Sequence, residues 1–517
     1  MAGKQRWIWP VIIIAAGLLF GALLAIFSPG DFFTGFWQSS LFCILLSAIF
    51  YLVCKLVKPP KTIVVVALTA LLIRLLTGIW LTTGLPAHGF DTPVQNAGYV
   101  YSDAFDRDQA AYSIAFPEKS KYIPPANIGA VDQYGGMMMI SAAIYRLFSM
   151  DVHRPLLIIF LAAYSMALAV IFTWKAMRLA WGEKAALIAA VFLSFYPEGI
   201  LLGSSQMREP LLIGLASITF WVTVLFAKGE RRLFLLIITL FSLLLMCWIS
   251  IPAGLAILMV NLGYLQVNWL KNEKQPERRK RLFVFFTIFL IAVFLAGWIW
   301  LKDTLYYDAY ATETESGLIT WILNLVGTKW RLPFVLLYGL IQPVLPAAIV
   351  YQSLPLWKIL AIFRALGWYF VLPFLIYGIG LVIMRIRKNQ DWVLGWLMAV
   401  LVLWIFISSA RAGGDQWDNP RYRAIFLPWL ALIVGLVWDH ILKNKASWFW
   451  RVTALDTAFV LIFSYWYLGR KFPMRFPIPT EYAIGLFAVL LIVIIAGGFF
   501  VDHQKQKWLI RKDKGTD

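Results

Sequence analysis

The sequence predicts an all-α polytopic membrane protein: a bundle of about fourteen transmembrane helices with external surface helices and one re-entrant segment. Three observations carry this. Of the 517 residues, 61% are hydrophobic and 14% charged, a balance outside the range of soluble domains. The apolar residues gather into runs of about the 20 that a bilayer-spanning helix needs. Basic residues then fall mainly into alternate connections. Spans are expected near residues 8–28, 36–56, 62–84, 155–175, 184–200, 209–227, 233–250, 251–270, 282–301, 360–384, 391–409, 422–441, 449–468 and 481–502. Lipid offers no hydrogen-bond partners, so a run such as Leu233 to Ile249 must satisfy its own backbone, and helix does so.

The formal charge of +19 reads as orientation rather than nucleic-acid binding. Lys4 and Arg6, Lys55 to Lys61, Lys175 to Lys184, Lys271 to Arg281, Arg385 to Lys388 and the basic C-terminal tail all lie on one side of the expected membrane. By the positive-inside rule that side is cytoplasmic and holds both termini, and the carboxylate-rich loops are external. Residues 1–28 read as a retained anchor, since no small-x-small site follows the apolar run. Cys43, Cys54 and Cys247 show no CxxC or Cys/His spacing and read as packing residues. His88, His153, His440 and His503 are too scattered for a zinc site.

The chain divides into a two-helix appendage (1–61), a central membrane module (62–301) with the external loop 85–154, and a C-terminal membrane region (302–517) with external loops 302–359 and 410–421. Within the first loop the apolar stretch Gly135 to Met150 is too short to span and reads as a surface helix. In the second, Pro333, Pro343, Pro346 and Pro355 interrupt an apolar stretch, so 333–359 reads as re-entrant, a form tolerated where protein or water covers it. Trp330, Tyr306 and Tyr307 nearby read as interfacial packing, although such rings also stack on sugars.

Chemistry is concentrated outside. Asp103, Asp106 and Asp108 fall within six residues; if that stretch is helical, Asp103 and Asp106 share a face and Asp108 does not. A solvated loop with ordinary surface acids is the bland alternative. Glu209, followed by Pro210, equally suits the first turn of a helix. Beside it, Arg208 either pairs with Glu209 or binds phosphate, for which a planar guanidinium is well shaped. A late loop runs from Arg411 through Asp415, Trp417, Asn419 and Pro420 to Arg421, Tyr422 and Arg423. Its Gly pair and Asn-Pro mark a shaped turn, with Arg421 and Arg423 at the mouth of a helix; interfacial snorkelling is their bland alternative. Arg74, inside a span, must snorkel, pair or line a cavity.

The order of a helix carrying Leu71-Leu72-Ile73-Arg74-Leu75, the acidic loop Ser102-Asp103-Ala104-Phe105-Asp106, a surface helix, two spans and the loop closed by Gln206-Met207-Arg208-Glu209-Pro210 resembles the GT-C glycosyltransferases. That superfamily includes protein O-mannosyltransferases, aminoarabinose transferases and oligosaccharyltransferases, and the resemblance is to its bacterial members. It implies transfer of a sugar from a polyprenyl-phosphate donor to an external glycolipid, polysaccharide or protein acceptor at the cytoplasmic membrane, with membrane lipid and no nucleic acid as further partners. Asp103 matches the family's first-loop acid, a base or metal ligand, with Asp106 and Asp108 as alternates, and Glu209 falls at the second acidic position. Gln206, Arg208, Arg421, Arg423 and Asp108 are the expected substrate and phosphate ligands. No Asp-Glu or Asp-x-Asp pair is present in the second loop, so no cofactor is required by the motifs, and a divalent cation (Mg2+ or Mn2+) stays open. Displacement at the anomeric carbon would use one carboxylate to deprotonate the acceptor, while the leaving phosphate needs charge stabilisation. An O-antigen-type polymerase or ligase is the alternative, although its large loop usually comes late; a transporter or flippase would carry more buried charges or internal repeats.

Overall fold

The computed structural model describes residues 2–120, 132–285, 330–412, 415–444, 446–473 and 476–514, with a few positions between 287 and 327. Ten helices are long and apolar enough to cross a membrane, or twelve if each of two bent pairs counts as one span. The chain is therefore a multi-pass membrane protein, all-helical among its described residues. The helices are α1 (Ala2–Phe27), α2 (Phe32–Val57), α3 (Lys61–His88), the short α4 (Pro93–Asn96), α5 (Ser102–Ala115), α6 (Gly136–Phe148), α7 (Leu156–Trp181), α8 (Glu183–Phe195), α9 (Pro197–Gly203), α10 (Glu209–Ala227), α11 (Leu233–Ile249) and α12 (Ile251–Asn272). There follow α13 (Arg331–Ile341), α14 (Leu345–Val350), α15 (Pro355–Asn389), α16 (Trp392–Ala412), α17 (Asp418–Ala424), α18 (Leu427–Lys443), α19 (Ser447–Lys471) and α20 (Thr480–Lys514). The expected span near 282–301 lies partly outside the described residues, and Tyr306 and Tyr307 lie outside them altogether; α11, at 17 residues, is a short apolar helix.

The core is built on α7, most of whose side chains are buried between α3, α8 and α10. In α1 and α2 small residues let the backbones approach: a Cβ on Gly17 or Gly21 would overlap the backbone of Ile44 or Ser40, the small-residue packing that membrane helices use in place of a hydrophobic driving force. This hairpin docks on the rest of the chain partly through Arg154, whose Nη1 donates to Gln38 Oε1 at 3.1 Å.

The expected surface helix is α6, which buries Met137, Met138, Ser141 and Tyr145. The proline-rich segment is resolved into α13 and α14, 11 and 6 residues long and separated at the cis Gln342-Pro343 peptide. Pro346 and Pro355 open α14 and α15 rather than interrupting them, since proline lacks only an N–H that the first turn leaves unused. The span expected at 360–384 consequently runs from 355 to 389.

Two spans are bent. The break between α8 and α9 turns the chain by 55° and that between α17 and α18 by 75°. A broken helix frees backbone carbonyls that lipid cannot satisfy, and at the first break Arg74 supplies the donors. Its side chain is fully buried; Nη2 donates to Leu193 O, Nη1 to Ser194 O and Ala70 O, and Nε to Gly199 O, all at 2.9–3.0 Å. The intramembrane arginine thus caps a break, and a Cβ on Gly203 would stand 2.5 Å from its Cδ.

Candidate active site

The breaks set charged side chains where a straight helix would place lipid-facing ones. At the first, Tyr196-Pro197 ends α8 and puts Glu198 into the protein interior. Its carboxylate is bidentate to Arg364 of α15, with Nε donating at 2.7 Å and Nη2 at 2.9 Å, and both side chains are at most 2% exposed. Arg364 Nη2 also donates to Trp417 O at 3.0 Å, and the guanidinium lies 4.2 Å from the centre of the Trp417 ring. Ahead of the second bent pair, Asp415 accepts the backbone N–H groups of Trp417 and Asp418. That turn starts α17, so Asn419 and Pro420 lie in its first turn and Arg421 and Arg423 in its last.

Arg421 is the centre of the arrangement. Its side chain is 7% exposed, and each guanidinium nitrogen donates to a different carboxylate: Nη2 to Asp103 Oδ2 at 2.7 Å, Nε to Glu209 Oε1 at 2.9 Å and Nη1 to Asp418 Oδ1 at 3.0 Å. Two further arginines stand behind. Arg107 Nη2 is 3.2 Å from the same Asp103 oxygen, and Arg208 Nε is 3.8 Å from Glu209 Oε1. Arg107 is fixed in turn by the buried Asp132, 3.8 Å from its Nε.

Asp103 and Asp418 keep 36% and 37% of their side chains exposed, and what they face is a cavity of about 810 Å³. Its walls include Arg421 and Lys358 with the rings of Tyr101, Trp357, Trp417 and Tyr422. The aromatic wall is held edge to face, Trp357 against Trp417 at 5.1 Å and Tyr101 against Trp417 at 6.2 Å, and Trp357 Nε1 donates to Gln95 Oε1 at 2.9 Å. Lys358, in the first turns of α15, is half-buried and is the lining cation that no carboxylate engages among the described residues.

Electrostatics sharpen the difference between the carboxylates. Burial alone would raise the Asp103 carboxyl, but the Arg421, Arg107 and Arg208 guanidiniums overcome it and bring it down to about 2. Asp103 is therefore anionic at neutral pH. Asp106, one turn further along α5, is pushed up by partial burial and by the Asp103 charge, and does not line the cavity.

The other residues singled out in the sequence separate into two groups. Asp103, Glu209, Arg208 and Arg421 come together from α5, α10 and α17, 318 residues apart at the extreme. Asp108 points away from them, accepting from Tyr99 Oη at 2.6 Å and Tyr145 Oη at 2.5 Å with His153 Nε2 at 3.0 Å, and ties α5 to α6. Gln206 is buried, and Arg423 donates to the Gln342 carbonyl and lies 3.6 Å from the Trp368 ring centre, outside the cavity lining. Glu198, Arg364, Lys358 and Asp418 are the site residues that sequence reasoning passed over. For Glu198 the signal was the Tyr-Pro-Glu-Gly break inside an apolar run; for Arg364, a lone cation in a span.

The fold and this charged, aromatic-walled cavity define a class: a polytopic membrane protein with a polar pocket built on broken and terminal helix ends. Compared with solved structures, the chain is similar to ArnT from Cupriavidus metallidurans in the apo state (13% identity, TM-score 0.38, covering 82% of this chain and 70% of that one). It is also similar to the archaeal oligosaccharyltransferase AglB from Archaeoglobus fulgidus in complex with an inhibitory peptide and a dolichol-phosphate (13% identity, TM-score 0.34, 83% of this chain and 54% of that one). The chain thus spans about half the length of the latter. No family model and no curated protein matches the sequence.

Proposed function

We propose that the chain is a membrane glycosyltransferase that moves a sugar from a polyprenyl-phosphate donor to an acceptor at the external face of the membrane. The observation that carries this reading is the cavity in which the carboxylates of Asp103, Asp415 and Asp418, the cations of Arg421 and Lys358 and a wall of aromatic rings converge. Asp103 presents an accessible carboxylate oxygen and accepts the acceptor hydroxyl's hydrogen bond, taking its proton as the new C–O bond forms at the anomeric carbon. The leaving group is a phosphate monoester anion, which needs positive charge rather than a proton; Lys358, which no carboxylate engages among the described residues and which lies near the start of α15, supplies it. Aromatic walls suit the apolar faces of a sugar ring, and the exposed Ile349 and Ile359, next in chain to the lining residues Ala348 and Lys358, suit an isoprenoid tail. By the positive-inside pattern of the sequence, this cavity is read as external and both termini as cytoplasmic.

The test is release of polyprenyl phosphate from a panel of polyprenyl-phosphate sugars by purified protein, with crude envelope extract as acceptor. Wild type is expected to release it and Asp103→Asn to release none while remaining folded. Equal release by both would remove Asp103 from the chemistry, and no release from any donor by folded wild type would overturn the glycosyltransferase reading.

A further inference from the structure

The family resemblance leaves a divalent cation open at the acidic centre, and the donor set decides whether one fits. A Mg2+ or Mn2+ ion needs several oxygens converging at about 2.0–2.2 Å. Here the three oxygens that could converge, Asp103 Oδ2, Glu209 Oε1 and Asp418 Oδ1, are each already held at 2.7–3.0 Å by one nitrogen of the same guanidinium. The planar fork of Arg421 therefore stands where the metal would stand. Charge weighs in the same direction: Asp103, Glu209, Asp418 and Asp132 already face Arg421, Arg107 and Arg208. A dication would enter a centre whose negative charge is mostly offset and would meet three guanidiniums. Two oxygens of the cluster are unspent among the described residues, the buried Glu209 Oε2 and Asp103 Oδ1, since both guanidinium bonds to Asp103 go to Oδ2 and Asp418 Oδ2 accepts from Tyr422; two oxygens fall short of the several that such an ion needs. Among the described residues no other group of three His, Cys, Asp or Glu is placed to hold a metal.

We infer that Arg421 is a built-in replacement for the divalent cation, so that this centre binds no metal and its transfer is independent of one. The inference rests on reading this cavity as the reaction site. Arginine stays protonated at every working pH, so a positive charge fixed in this way is insensitive to metal supply.

The experiment uses the full-length protein in detergent and reads Mn2+ binding by electron paramagnetic resonance, with no donor present. Wild type is expected to show no saturable site. Arg421→Ala, which leaves the three carboxylates facing each other, is expected to gain one Mn2+ per chain, and Arg421→Ala/Asp418→Asn to lose it again. Wild-type binding that Glu209→Gln or Asp418→Asn abolishes would overturn the inference, as would a folded Arg421→Ala with no site. Should Arg421→Ala not fold, the wild-type and Asp418→Asn titrations decide alone. In the release assay, wild type dialysed against EDTA is expected to keep its full rate, and a loss restored by Mn2+ would also overturn the inference. Because the binding measurement needs no substrate, failure of the glycosyltransferase reading would show as absent release and leave the Mn2+ result standing.

Discussion

Replacing Glu198 by leucine removes one half of an ion pair that is almost wholly out of water, with Arg364 2% and Glu198 1% exposed. It leaves Arg364 with its bond to Trp417 O and no counter-charge. Stranding a buried charge in this way costs about 3–5 kcal/mol, whereas replacing both ions of a buried pair by apolar side chains is often close to neutral. The double variant Glu198→Leu/Arg364→Leu also loses the bond to Trp417 O, worth about 1 kcal/mol. It should therefore be more stable than Glu198→Leu by roughly 2 kcal/mol or more, whereas for independent sites the second substitution would only add its own cost. Thermal unfolding of the purified proteins in detergent, followed by tryptophan fluorescence, reads the order. The expected midpoints run wild type, then the double variant, then the single. The release assay separates stability from function: the double variant loses transfer because nothing then fixes the Trp417 carbonyl and, through it, the turn that carries Asp418 and Arg421. A double variant less stable than the single, with additive losses, would refute the reasoning that the pair is a mutually compensating buried unit.

Three further outcomes are expected. The Asp103 carboxyl is depressed from 3.8 to about 2 in the folded protein, so the stability it contributes is complete above about pH 4 and fades as pH falls toward 2; Asp103→Asn should flatten that part of the stability profile in acid titration, and an unchanged slope would count against the pairing. Lys358→Ala should raise KM for the lipid-linked donor several-fold with little change in melting temperature, whereas an unchanged KM would take Lys358 away from the phosphate. Gly203→Ala places a Cβ 2.5 Å from Arg74 Cδ and should cost about 1–3 kcal/mol as an overpacked interior contact, read as a lower melting temperature; an unchanged midpoint would mean that Arg74 can move.

Hydropathy made most spans legible, because a lipid-spanning helix is specified locally by length and apolarity. It even marked α6 as too short to cross. The breaks were harder: residues 184–200 and 422–441 read as single spans, since the bend at Tyr196-Pro197 depends on a donor, Arg74, that comes 120 residues earlier. The same limit applied to the site. Asp103, Glu209 and Arg421 each carried a local signal, an acid in an external loop or an arginine outside against the charge rule, and the fold brings both acids within hydrogen-bond distance of the arginine. Glu198 and Arg364 carry only a proline break and a lone cation in a span, and what these mean lies in the 166-residue gap that the bundle closes. Asp108 looks like Asp103 in sequence, yet a difference of five positions along α5 turns it toward Tyr99, Tyr145 and His153.

The capping of the α8–α9 break by Arg74 also orders the making of the protein. When α3 leaves the ribosome, Leu193, Ser194 and Gly199, which accept three of its four hydrogen bonds, have not yet been synthesised. Until they are, a guanidinium lies in a membrane segment with a single carbonyl, Ala70 O, one turn away, and such a charge is costly to leave in hydrocarbon. Helix α3 therefore completes its polar contacts only once α8 and α9 are in place, and until then its arginine must snorkel toward the headgroups or stay hydrated. Assembly of the broken helix is thereby the step that buries Arg74.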